Sequence, residues 1–96
     1  MKIELKKFGT TLLSRQAGKE AFLAFQPALE GVSEDEKLEV DFNGVITFSP
    51  SWGDEFLTPL LQKYGERLKL MATDNPSVRI TLDIIEKSQP KKFKRL

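Results

Sequence analysis

The sequence predicts an α/β fold, with parallel strand pairs joined by crossover helices packed on the sheet. Three observations predict it. Apolar and polar residues alternate with a period of two at residues 2–8, 38–43 and 67–72, the pattern of strands with one wet face. After each run, apolar residues recur at helical spacing behind a capping residue: Ser14, Ser51 and Asn75. The resulting order is strand, helix, strand, helix, strand, helix, which builds parallel pairs.

In the first strand Ile3 and Leu5 oppose Lys2, Glu4 and Lys6, a pattern suited to a sheet edge. Gly9 closes it, and Thr10 to Leu13 read as a short strand or loop. The first helix carries Ala17, Ala21, Phe25 and Ala28 in one stripe, with Phe22 and Leu29 widening it. Pro27 should end it near Gln26. Polar and turn-forming residues then fill a loop over 30–37.

Leu38, Val40 and Phe42 face one way and Glu39, Asp41 and Asn43 the other. Asn43-Gly44 is a turn pair, after which Val45 to Phe48 read as an apolar loop in preference to a hairpin. Ser51 and Asp54 stand at capping-box spacing, with aspartate in place of the usual glutamate or glutamine. Trp52, Phe56 and Leu60 line the second helix, extended by Leu57 and Leu61. Pro59 should kink or restart it, with Thr58 as a cap. Leu68, Leu70 and Ala72 mark the third strand, and Asn75-Pro76 starts the last helix. There Val78, Leu82 and Ile85 form the stripe and Ile80 and Ile84 broaden it. The reading therefore places one domain at 1–88 and a flexible basic tail at 89–96.

Composition excludes several kinds of chemistry. Ninety-six residues hold one core, and neither cysteine nor histidine occurs. Disulfides and thiolate or imidazole metal sites are therefore ruled out, together with the commonest general base. No run approaches the ~18–20 apolar residues that cross a bilayer, and no signal-peptide core follows Met1, so the expected compartment is the cytoplasm. Lys91, Lys92, Lys94 and Arg95 account for four of 15 basic residues. The remaining 11 stand against 14 acidic ones, leaving a mildly acidic body.

Catalytic candidates are few. Asp41 and Asp54 are the best carboxylates for acid–base work, yet each is more simply explained by structure, Asp41 as a strand end and Asp54 as a helix cap. Ser14 and Lys19 share one helix and suit a cap and a solvated charge. The six glycines form no phosphate-cradling loop, and Ser33-Glu34-Asp35-Glu36 lacks a calcium-loop pattern. The reading is thus non-enzymatic, with no catalytic residue, metal or cofactor expected. A binding surface is expected at Ser49, Ser51, Trp52, Asp54 and Glu55, with Trp52 as anchor. The alternative is a small nucleic-acid-associated protein acting through Lys91-Lys92-Phe93-Lys94-Arg95.

Leu38-Glu39-Val40-Asp41-Phe42-Asn43-Gly44-Val45, followed by Ser49-Pro50-Ser51-Trp52-Gly53-Asp54-Glu55-Phe56-Leu57, resembles the bacterial STAS-like domains of unassigned function. Leu12-Leu13-Ser14-Arg15 extends the similarity over most of 1–88. The resemblance implies a mixed sheet of four or five strands with about three helices. It also implies a regulatory role like that of the anti-sigma-factor antagonists, which dock on histidine-kinase-type ATPases and are released when a loop serine is phosphorylated. Matching Asp41 to the family's strand aspartate sets Ser49 at the loop aspartate and Pro50 at the phosphoacceptor. A one-residue shift instead brings Ser49 or Ser51 to that place.

Overall fold

A computed structural model describes residues 1–96. Strands β1 (Lys2–Glu4), β3 (Leu38–Asp41), β5 (Leu68–Leu70) and β6 (Lys94–Arg95) form one sheet in the order β1-β3-β5-β6. Every pair in it is parallel, with Ile3 opposite Val40, Val40 opposite Leu70 and Leu70 opposite Arg95. The sheet implied by the family resemblance was mixed; this one is not. A helix follows each of the first three strands and carries the chain back to the same end, which leaves parallel pairing as the outcome. These are α1 (Arg15–Leu29), α2 (Pro50–Tyr64) and α3 (Pro76–Lys87). Two further strands, β2 (Thr11–Leu12) and β4 (Thr47–Phe48), pair in parallel as a separate small sheet.

Strand alternation sorts the two faces. Ile3, Leu38, Val40, Leu68 and Leu70 are buried and join one core with side chains of all three helices. Lys2, Glu39 and Lys94 project from the other face into water. The central helix α2 packs against both α1 and α3 and contributes Trp52, Phe56, Leu57, Leu60 and Leu61 to the core.

Several expected boundaries move, each for a packing reason. The first strand stops at Glu4 because a 3-10 turn over Leu5–Phe8 turns Leu5 and Phe8 inward together, as side chains three apart do in that geometry. Helix α1 starts at Ser14 as expected, whose side chain accepts from the Ala17 N–H. It runs past Pro27 to Leu29, which is buried. Helix α2 likewise continues through Pro59, held by core residues on both sides of it. Thr58 does not cap a second segment; its hydroxyl donates to Asp54 Oδ1 at 2.8 Å. The Asn43-Gly44 turn forms no hairpin, since β4 pairs with β2 instead of β3.

Helix α3 begins at Asn75, whose Oδ1 accepts from the Ser77 and Val78 N–H groups. Val78, Leu82 and Ile85 are buried as the stripe requires. Ile80 and Ile84 do not broaden it: they remain 60% and 46% exposed. Residues 89–96 are also not a free tail. Phe93 is 6% exposed within the core, and β6 pairs with β5. Arg95 pairs with Asp83 at 2.9 Å and with Glu86. An aromatic side chain flanked by lysines looks mobile in sequence, but its burial outweighs the entropy of ordering so short a segment.

Candidate functional site

Pairing of β2 with β4 sets the starts of α1 and α2 side by side. Ser49 N–H donates to the Leu12 carbonyl at 3.0 Å, and Ser49 Oγ donates to the Leu13 carbonyl. The same Oγ accepts from the Trp52 N–H at 3.3 Å, which makes Ser49 the cap of α2. Ser51 was the expected cap. Pro50 explains the shift, because proline suits the first helical position and the cap then falls one residue earlier.

Helix α3 is fastened to the same turn. Ser77 Oγ accepts from the Phe48 N–H at 3.0 Å and donates to the Phe48 carbonyl at 3.1 Å, which also accepts from Thr81 Oγ1 at 2.6 Å. Asn75 Nδ2 donates to the carbonyls of Val45 and Ile46. One asparagine therefore caps α3 and closes the open carbonyls before β4. Asn75→Ala should cost about 1–2 kcal/mol, near the upper end for a lost cap, measured by urea denaturation.

The three helices enclose a shallow cleft of about 180 Å³ whose wall includes Arg15, Pro50, Ser51, Asp54, Ile84 and Ser88. Arg15 Nη1 lies 3.2 Å from Asp54 Oδ2 and 3.2 Å from Glu55 Oε1. The hydrogen bonds that Arg15 donates to Glu55 and then to Asp54 raise the guanidinium pKa above its ordinary value. Asp54 and Glu55, both expected on the binding surface, therefore form an ion trio with Arg15 that bridges α1 and α2. All three side chains are partly open to water, so their mutual attraction contributes little stability and leaves the charges accessible.

Trp52 is the main correction. Its indole is 1% exposed and stacks on Phe56 at 5.1 Å between centroids, with Phe48 and Phe8 at 5.8 and 6.1 Å. The reason is helical phase. Trp52 and Phe56 lie one turn apart on the core face, whereas Ser51, Asp54 and Glu55 turn outward together. Trp52 cannot anchor a partner from this position.

The cleft brings together Ser51 and Asp54 from the expected set, with Glu55 joined through Arg15. It adds Arg15 and Ile84, which the sequence reading missed. Ile84 left a faint signal: α3 carries two apolar rows, and a surface helix needs only one. Arg15 left none, because its partners lie 39 and 40 residues away. Asp41 lies elsewhere, in a separate cleft at the carboxyl ends of β3 and β5 with Asn43, Thr73 and Asp74. There it pairs with Lys2 at 3.4 Å and accepts from the Asn43 N–H. Asp41 and Asp54 thus share no pocket. No three carboxylates converge into a cation-binding cluster, and no helix is long and apolar enough to cross a membrane. Comparison with protein families, with curated proteins and with solved structures gives no match.

Proposed function

We infer that this chain is a non-enzymatic regulatory module of STAS-like fold that acts in the cytoplasm by docking another protein. The partner implied by the resemblance is a histidine-kinase-type ATPase. The observation that carries the reading is Ile84, an apolar side chain 46% exposed on the wall of a cleft shared with Ser51, Asp54 and Arg15. Ile80 continues the same exposed row one turn earlier at 60%. Apolar surface rimmed by charged and hydroxyl groups is the composition of a docking patch. In this reading Ile84 takes the anchoring role first assigned to Trp52, and Asp54, Glu55 and Arg15 supply register.

Of the two serines, Ser51 is the better phosphoacceptor. Ser49 Oγ already caps α2 and holds the Leu13 carbonyl, so modifying it would unmake the turn. Ser51 is half-buried on the cleft wall and is not the cap. A phosphoryl group there would add about −1.5 to −2 charge beside Asp54 and Ile84, and would stand in the path of a docking partner.

Titration against a purified histidine-kinase-type ATPase domain tests this. Ile84→Asp and Ser51→Glu should each weaken binding by about tenfold or more, equivalent to about 1.4 kcal/mol. Melting temperature should hardly change, because neither side chain belongs to the core. Unchanged affinity in a folded Ile84→Asp variant would reject the surface.

A further inference from the structure

The ordering of residues 89–96 creates a feature that a loose tail would not have. Phe93 is buried just before β6, while Lys91, Lys92 and Lys94 around it are exposed. The β5–β6 register sets Lys94 directly across from Lys69. Lys91, Lys92 and Lys94 line one groove of about 380 Å³ together with Leu61, Gly65 and Glu66. Three ammonium groups share this groove with a single acid. Glu66 is 3.9 Å from Lys94 and its side chain is 87% exposed, while Lys91 and Lys92 have no carboxylate within ion-pair distance. The acids nearest to β6 on α3, Asp83 and Glu86, are both taken by Arg95.

Lysines on an edge strand deter unwanted pairing, but that role asks only for charges dispersed in water. Here Lys91, Lys92 and Lys94 line a single groove, and Lys69 stands opposite Lys94 in the sheet register, a like-charge pair that opposes the strand pairing. We propose that this groove is a binding site for a compact oligophosphate anion, of the di- or triphosphate class. Three ammoniums match a multiply charged ion. Lysine acts as a point charge without the planar fork that selects carboxylates, and the groove's volume falls at the small end of ligand sites, about 300–1,000 Å³. The buried Phe93 ring is withdrawn from the base stacking that single-strand binding uses, which argues against a nucleic acid. A bound anion relieves the repulsion along β6, so the C-terminal strand tightens when the site fills.

Calorimetric titration of the full chain with sodium tripolyphosphate at low ionic strength tests the site. The triple variant Lys91→Gln, Lys92→Gln, Lys94→Gln should bind at least about tenfold more weakly. A charge-matched triple variant, Lys6→Gln, Lys19→Gln, Lys37→Gln, should keep its affinity. Tripolyphosphate should also raise the melting temperature of the wild type and the matched variant but not of the groove variant. Circular dichroism confirms that both variants fold. Absence of binding by the wild type would overturn the proposal, and so would equal losses in the two variants, which would mean diffuse attraction. Tighter binding of an oligothymidylate than of tripolyphosphate would also overturn it, by moving the site to nucleic acid.

Discussion

Trp52→Ala should destabilise the fold by about 3–5 kcal/mol, the range for truncating a large buried aromatic. The indole is 1% exposed and lies where α2, β4 and the Leu5–Phe8 turn meet, against Phe56, Phe48 and Phe8. Ring pairs of this kind add about 0.5–1.5 kcal/mol beyond the area they bury. A domain of this size has about 5–15 kcal/mol of stability in total, so much of the reserve would go. Melting temperature should drop by roughly 4–8 °C per kcal/mol lost. Urea denaturation measures the loss, and a cost below about 1 kcal/mol would mean that the indole does not fill the core as described. Any loss of partner binding in this variant reports unfolding. Trp52→Phe, which keeps most of the ring volume, should retain docking.

Gly18→Ala should also destabilise, by about 1–2 kcal/mol net, and here the sign is informative. In an exposed helix interior the same change favours folding by about 1 kcal/mol, because alanine is the better helix former. Gly18 is buried where α1 crosses α2. A Cβ there would stand 2.6 Å from the Trp52 carbonyl oxygen and 3.0 Å from the Trp52 Cα. Backbone atoms cannot rotate away, so the helices must separate, and overpacking of this kind costs about 1–3 kcal/mol or more. Gly31→Ala is the natural control, since nothing lies within 4 Å of its added Cβ. Denaturation of both variants in parallel should show Gly18→Ala weakened and Gly31→Ala close to wild type. A stabilised Gly18→Ala would show that α1 and α2 are not in contact there.

The two substitutions act at one place, the crossing of α1 and α2, and that crossing also positions the proposed docking surface. It brings Arg15 to Asp54 and Glu55. Destabilising the crossing would therefore weaken docking indirectly, whereas Ile84→Asp should weaken it without loss of stability. That difference separates a core residue from a contact residue in a single set of measurements.

Much of the architecture was readable along the chain. Ser14 and Asn75 cap the helices assigned to them, and Val78, Leu82 and Ile85 form the buried stripe of α3. The strands around Leu38–Asp41 and Leu68–Leu70 lie within the runs that alternate. The candidate site was less readable. Ser51 and Asp54 belong to the cleft, but Trp52 does not, and Arg15 and Ile84 were not anticipated. The charge of the C-terminal lysines is plain in the sequence, while the order that Phe93 imposes on them depends on its burial.

Capping, alternation and helical phase act over four or five residues, so a single chain displays them openly, and here they were enough to assign an α/β class and its three helices. Exposure depends on a second surface. Whether Ile84 or Ile85 is covered, whether Trp52 faces water, and whether residues 94–95 pair with β5 are settled by groups that lie far away in sequence. Thr81 turns toward Phe48, 33 residues distant, and Arg15 reaches Asp54, 39 residues distant. No local pattern encodes such a meeting, because burial is a property of two packed elements and the chain shows only one at a time.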